Sequence, residues 1–308
     1  MRTPPSIIYW FRNDLRIQDN PGLNAAIEQG VVQPVYIIDP RIFQEGSFGF
    51  NRMGHHRRRF LMESLKDLAH QLEGIGLKLW VLNGIPEEIL PRILNAIPDS
   101  KVHFSFEYAH DETQIEQKLT YELSSRQWEG FWSGTLVDPE NVPFSIDRLP
   151  NGFSSFRNKV EKYSSYPDPV STPKVAQPFT QDHWGEDPVL LNLKTSLASP
   201  MDAIQTIAFI GADEGKMIEI PTCDEADVQT YCAQWNKVIK GGASAGWDRL
   251  NDYLWDSNRV ASYKKTRNGL IGLEYSTKFS VWLANGSLSA RSIAAEITKY
   301  ENERVKND

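Results

Sequence analysis

The chain has 308 residues, with 33 Lys and Arg against 40 Asp and Glu, a net charge of −7 and a mean hydropathy of −0.44. That length suits two domains, or one large α/β domain with an appendage. The acidic balance argues against a general nucleic-acid binder, whose phosphate contacts need a basic surface, and no apolar run is long enough to span a bilayer. Met1–Pro5 leads straight into an apolar run too short for a signal-peptide core. Cys223 and Cys232 have neither disulfide-framework nor metal-site spacing. A cytoplasmic protein with reduced thiols, no metal and no membrane partner is therefore expected.

In chain order, Ser6–Phe11 is a short, almost wholly apolar run, as expected of a strand buried on both faces. Val32–Ile38, Lys78–Leu82, Val102–Phe106 and the Phe131-Trp132 region repeat that character. Between them, Arg57–Ile75 places Leu61, Leu65, Leu68 and Leu72 on one face of a helix that Gly74 and Gly76 end. Pro86–Ile97 and Asp111–Arg126 read as two more helices, the second opening on the acidic pair Asp111 and Glu112. This alternation predicts α/β architecture with a doubly wound parallel sheet over residues 1–134.

Residues 135–222 are rich in Pro, Ser and Asp, show little sustained periodicity and read as a long inter-domain linker. Residues 223–308 turn helical, with helices expected at Glu225–Ile239, Ala245–Tyr253 and Leu288–Arg304. This last part holds 12 Lys and Arg against 11 Asp and Glu, and between positions 258 and 280 Arg259, Lys264, Lys265, Arg267 and Lys278 face only Glu274. Such a patch suits either a solvated helix face or a phosphate site.

The most charged motif leaves the first strand: Trp10 to Leu23 reads WFRNDLRIQDNPGL. Ligands in doubly wound folds bind beyond the carboxyl ends of strands, so this loop lies near any site. Residue types alone favour a structural role, in which Arg12 and Arg16 pair with Asp14 and Asp19, and Asn20 caps a helix opening at Pro21. The glycine-rich Gly241–Gly246 follows a helix and lacks the GKS/T ending of a phosphate loop, so it reads as a turn and helix start. His55-His56 beside Arg57–Arg59 reads as a solvated helix start, and the nine Trp residues read as core rather than redox relay.

The wording of these segments resembles the cryptochrome/photolyase family, whose opening is WFRxDLRxxDNxxL. Arg58–Leu68 is similar to the family's second long helix. Val142–Pro150, with Phe153, Phe156-Arg157 and Lys159–Lys162, resembles its DASH branch. Gly241–Gly246, Asp252–Trp255, Ser262–Lys264, Thr266–Leu270, Tyr275–Ser280 and Trp282–Ala284 resemble the start of the family's helical flavin-binding domain, so the likeness covers almost the whole chain.

That resemblance implies FAD as cofactor, with Tyr263 and the run Thr277-Lys278-Phe279-Ser280 on its phosphate side; hydroxyls, backbone N–H groups and a Lys suit a pyrophosphate. It implies that Glu107 contacts a methenyltetrahydrofolate antenna as a two-point acceptor, with Phe153, Phe156 and Arg157 in the same pocket. No residue is assigned a catalytic role. Asn285, Ser287 and Ala290 depart from the family's apolar residue, Cys and Pro. The likeness also implies that 223–308 is an incomplete helical domain, whose missing remainder would surround the flavin ring. The resemblance thus implies the front portion of a deoxyribodipyrimidine photo-lyase or light sensor, acting when full length on pyrimidine dimers in single-stranded DNA. The rival expectation is a non-catalytic module that binds a pterin, a nucleotide-like ligand or a partner protein.

Overall fold

The computed structural model describes residues 4–46, 48–97, 99–123, 127–179, 239–269 and 272–305. The expected helix at Glu225–Ile239, except Ile239 itself, lies outside the described residues, as do both cysteines and the second half of the expected linker.

Five strands, β1 (Ser6–Phe11), β2 (Val31–Ile38), β3 (Trp80–Asn83), β4 (Lys101–Ser105) and β5 (Trp128–Phe131), form one sheet in the order β3-β2-β1-β4-β5. Every pairing is parallel. The doubly wound sheet expected from the alternating pattern is present. Its strand order reverses between β1 and β4, the place where such folds open a crevice beyond the strand ends.

Strand alternation explains why both faces are apolar. Ile7, Tyr9 and Phe11 of β1 point one way, into a core with Leu23 and Ala26 of α1 (Pro21–Gln29) and Leu61, Leu65, Leu68 and Leu72 of α2 (His55–Gly74). Ile8 and Trp10 point the other way, against Ile89, Leu90, Ile93 and Leu94 of α3 (Pro86–Ala96) and Leu119 of α4 (His110–Glu122). Each such buried side chain contributes about 1.5–3 kcal/mol of transfer free energy. Asn20 caps α1 by accepting from the Leu23 N–H at 3.1 Å, with Pro21 at the first position, as the sequence predicts.

The region expected to be an inter-domain linker carries a helix, α5 (Phe153–Tyr163), with no buried residue. Its Phe153, Phe156, Val160 and Tyr163 fall at helical spacing, but none of them is buried. Beyond it, α6 (Ala243–Asn251) runs on into a wider turn at Asp252–Asp256. The short helices α7 (Tyr263–Thr266) and α8 (Ser280–Ala284) follow, then α9 (Ala290–Tyr300). Leu250, Tyr253, Leu254, Phe279, Trp282, Leu288 and Ile293 form a third core, and Phe60 on the far side of α2 packs against it. Helix α2 thus serves the sheet with its leucines and the helical segment with Phe60.

Candidate functional site

The loop leaving β1 is held by a buried polar network. Tyr9 Oη lies 2.6 Å from Asp14 Oδ2 and 2.7 Å from Asn20 Oδ1, and Ser105 Oγ donates to the same Asp14 oxygen at 2.8 Å. The Arg12 N–H donates to Asp14 Oδ1 at 2.8 Å. Burial, reinforced by the Asp14 charge, drives the Tyr9 hydroxyl pKa well above its ordinary value.

The two arginines pair differently from the sequence expectation. Asp14 is already engaged by Tyr9, Ser105 and a backbone N–H, so the Arg12 guanidinium turns to Glu116 on α4 and to the Glu112 carbonyl at 3.1 Å. It also stands over the Trp10 ring, 4.6 Å from the centroid. Arg16 donates to three carbonyls, those of Asp19 (3.0 Å), Ser133 (2.9 Å) and Gly286 (2.8 Å). Burial lowers its pKa from the usual guanidinium value. Asp19 instead reaches the helical segment, accepting from Ser289 Oγ and from Arg291 Nε at 3.1 Å.

Beyond the carboxyl ends of β1 and β2 opens a cavity of about 980 Å³. Trp10, Phe11, Ile37, Met53, Phe60 and Ile115 give it apolar walls. An ionic rim surrounds them. Arg41 binds Asp39 through Nε at 2.8–2.9 Å and Glu87 through both terminal nitrogens at 2.8 and 3.1 Å. Lys118 lies 3.5 Å from Glu87, and Arg52 pairs with Asp111 across the mouth. Burial pushes the Glu87 carboxyl upward, but the Arg41 hydrogen bonds, a backbone hydrogen bond and the Arg41 and Lys118 charges together outweigh it and leave the pKa below its ordinary value. The remaining wall comes from the helical segment: Ser280, Val281, Ala284 and Asn285. Volume, flat aromatic walls and a few charged groups suit a planar heterocycle with polar ends. Sequence reasoning missed Asp39, Arg41 and Glu87, although their places just after β2 and at the start of α3 are strand-end positions.

The residues predicted for an antenna are not gathered there. Glu107 accepts from the N–H of Asn13, which lines the cavity, at 3.1 Å, but is not itself a lining residue. Burial, opposed mainly by the Arg12 charge, pushes its carboxyl up to about 7. On α5, Phe153 is 75% exposed, Phe156 packs on Phe144 with ring centroids 5.3 Å apart, and Arg157 pairs with Glu161 at 3.2 Å.

The residues predicted for the flavin phosphates lie on one segment. Arg249, missed from sequence, braces it by donating to the carbonyls of Leu273 (2.6 Å), Ser276 (3.1 Å) and Thr277 (3.1 Å). Lys278 sits in the left-handed region at φ +61°, Phe279 is buried in the third core, and Ser280 reaches the cavity wall. Tyr263 is half-exposed, and its neighbour Tyr253 is only 1% exposed with a hydroxyl that has no hydrogen-bond partner among the described residues. Arg259 of the basic patch pairs with Glu274 at 3.2 Å.

The glycine-rich turn is occupied from within. The N–H groups of Gly241, Gly242 and Ser244 donate to Glu63 (2.7 Å), Ser64 (2.9 Å) and Asp67 (3.1 Å) of α2, so protein oxygens satisfy the start of α6 and it is a turn and helix start. His56 and Arg57, at the start of α2, line the cavity.

A doubly wound sheet with a cavity beyond its strand ends, partly walled by an appended helical segment, places the chain among the doubly wound α/β proteins, which bind ligands beyond the carboxyl ends of their strands. The family model for DNA photolyase matches residues 7–175. Cryptochrome DASH of Gloeobacter violaceus is 36% identical over 306 residues, covering 98% of this chain and 55% of that protein. The crystal structure of a Synechocystis cryptochrome superposes with a TM-score of 0.77 at 34% identity, covering all of this chain and 58% of that one. A bacterial class III photolyase from Agrobacterium tumefaciens, at 21% identity and a TM-score of 0.70, shares the fold. The chain belongs to the DNA photolyase family, in its DASH-type cryptochrome branch. It spans a little over half the length of these relatives. Among the described residues no helix is long and apolar enough to cross a membrane.

Proposed function

We propose that this chain is the chromophore-bearing front portion of a blue-light flavoprotein, with a light-harvesting pterin or flavin-like ring in the cavity beyond β1 and β2 and the diphosphate of FAD against Tyr263 and Thr277–Ser280. The observation that carries the first half is the cavity itself: about 980 Å³, walled by Trp10, Phe11 and Phe60 and rimmed by paired charges. Its aromatic walls offer stacking surfaces to a planar ring, and the rim offers partners to a polar tail. The second half is supported by the strained Lys278, the Arg249 brace and the orphaned Tyr253 hydroxyl.

In the whole protein, FAD would supply the electron that splits a pyrimidine dimer flipped out of single-stranded DNA, or the light-sensitive state of a sensor. This chain's own contribution is to hold the antenna at a set place relative to the segment that grips the flavin phosphates. A second reading, a non-catalytic antenna-binding module, is supported by one observation: residues of this chain supply the cavity walls.

The test is spectroscopic. The 308-residue chain is titrated with methenyltetrahydrofolate and, separately, with FAD. We expect the folate to bind with a shifted near-ultraviolet band, and Ala284→Trp, which sets a bulky ring on the cavity wall, to abolish that shift. Folate binding that survives Ala284→Trp would move the antenna to Glu107 and Phe156. Lys278→Ala is expected to weaken FAD binding, and an unchanged affinity would remove the phosphate assignment. Dimer repair on irradiating the FAD-loaded chain with dimer-containing single-stranded DNA would set aside the module reading.

A further inference from the structure

The cavity is a composite. One side is the sheet with its helices, and the facing wall is Ser280, Val281, Ala284 and Asn285, on and just beyond α8. That short helix has few anchors of its own. Trp282 roots it in the third core and packs against Phe60, itself a cavity residue, with ring centroids 6.1 Å apart.

The bonds tying this wall to the sheet cross at its lower edge. The Leu15 N–H donates to the Asn285 carbonyl at 3.2 Å, Arg16 to the Gly286 carbonyl at 2.8 Å, and Asn285 Nδ2 to Ser64 Oγ at 2.9 Å. Just beyond lies the Asp19–Arg291 pair, 0% and 4% exposed, with Ser289 on the same carboxylate. None of Asp19, Ser289 and Arg291 lines the cavity. A buried ion pair of this kind is weak evidence of net stabilisation and is better explained by the arrangement it specifies.

We propose that Asp19 and Arg291 are positioning residues for the cavity: they hold the Ser280–Asn285 wall against the sheet and so set how tightly the cavity grips a planar ligand that they do not touch. This rests on the reading of the cavity as a chromophore site. Because ligand binding and wall docking favour the same arrangement, each strengthens the other, as linkage requires. The helical segment that carries the flavin-phosphate residues is thereby tied to the antenna cavity through Ser280, which belongs to both.

The experiment uses the full 308-residue chain with methenyltetrahydrofolate as the probe, titrated well below the unfolding temperature. Arg291→Met, which keeps length but removes the charge, is expected to raise the Kd about tenfold, within the range of ordinary coupling energies. Ser289→Ala, a milder loss at the same carboxylate, is expected to raise it severalfold, and serves if Arg291→Met does not fold. The double variant Asp19→Asn with Arg291→Met removes the tie altogether and is expected to bind no more tightly than Arg291→Met, and recovery of wild-type affinity would overturn the proposal. Leu94→Ala, in the core on the α3 face, lowers stability without moving the wall and is expected to leave the Kd unchanged. Wild-type-like affinity in Arg291→Met or, if that variant does not fold, in Ser289→Ala overturns the proposal, as does an equal loss in Leu94→Ala. A wild-type chain that binds no folate instead overturns the cavity reading and removes the inference with it.

Discussion

The Asp19 carboxylate meets the Arg291 guanidinium at 3.1 Å across a separation of 272 positions, with neither group reaching solvent to any extent. Removing one partner of such a pair strands the other charge in a low-dielectric interior. Arg291→Ala is therefore expected to destabilise the chain by about 3–5 kcal/mol. A urea unfolding curve reads this directly, and a loss below about 1 kcal/mol would show the pair to be hydrated.

Gly286 stands at the same junction with φ +68°, and a Cβ there would collide with the Asn13 carbonyl. Both the backbone region and the space disfavour any side chain. Gly286→Ala is expected to cost more than about 1 kcal/mol, seen as a lowered melting temperature. A neutral outcome would mean that the 285–287 turn can lift from the β1 loop without penalty.

Glu107 introduces a pH dependence. Its carboxyl is pushed up to about 7 from an ordinary 4.5, chiefly by burial. The folded state then holds a proton that the unfolded state has released, so this contribution to stability is fully present below pH 4.5 and is lost as pH rises through about 7. Glu107→Gln, a mimic of the protonated acid, should flatten that part of the stability profile. A wild-type profile already flat between pH 4.5 and 7 would contradict the assignment.

Arg249 holds three carbonyls of the 273–277 segment on one buried guanidinium. Hydrogen bonds to a charged group contribute about 1.5–3 kcal/mol each against their loss. Arg249→Ala should speed amide hydrogen exchange across 273–279 and weaken FAD binding, while exchange in β1 and β4 changes little. Uniformly faster exchange would indicate global unfolding instead of loss of a local brace.

Much of the sheet was legible because a strand buried on both faces must be apolar throughout, and Ser6–Phe11 and Val31–Ile38 have little other way to satisfy that pattern. Helix α2 was legible through its leucine spacing and α1 through the Asn20-Pro21 cap. Helix α5 was not, although Phe153, Phe156, Val160 and Tyr163 recur at helical spacing, since none of them is buried and the Pro- and Ser-rich surroundings favour a linker. The ion pairs were legible only as a set of charges. Which acid each arginine takes depends on what else is buried beside it, and the local candidates for Arg12 lost to Glu116, 104 positions away.

From residue types and spacing alone come the wound parallel sheet, the helix caps, the family wording and the nearness of the β1 loop to any site. These are consequences of short-range geometry: two-residue and 3.6-residue periods, and end groups that must be capped. The cavity, its Asp39–Arg41–Glu87 rim and its Ser280–Asn285 wall depended on folding. They join residues from the β1 loop to position 285, and only packing of the third core against α2 brings them to one place.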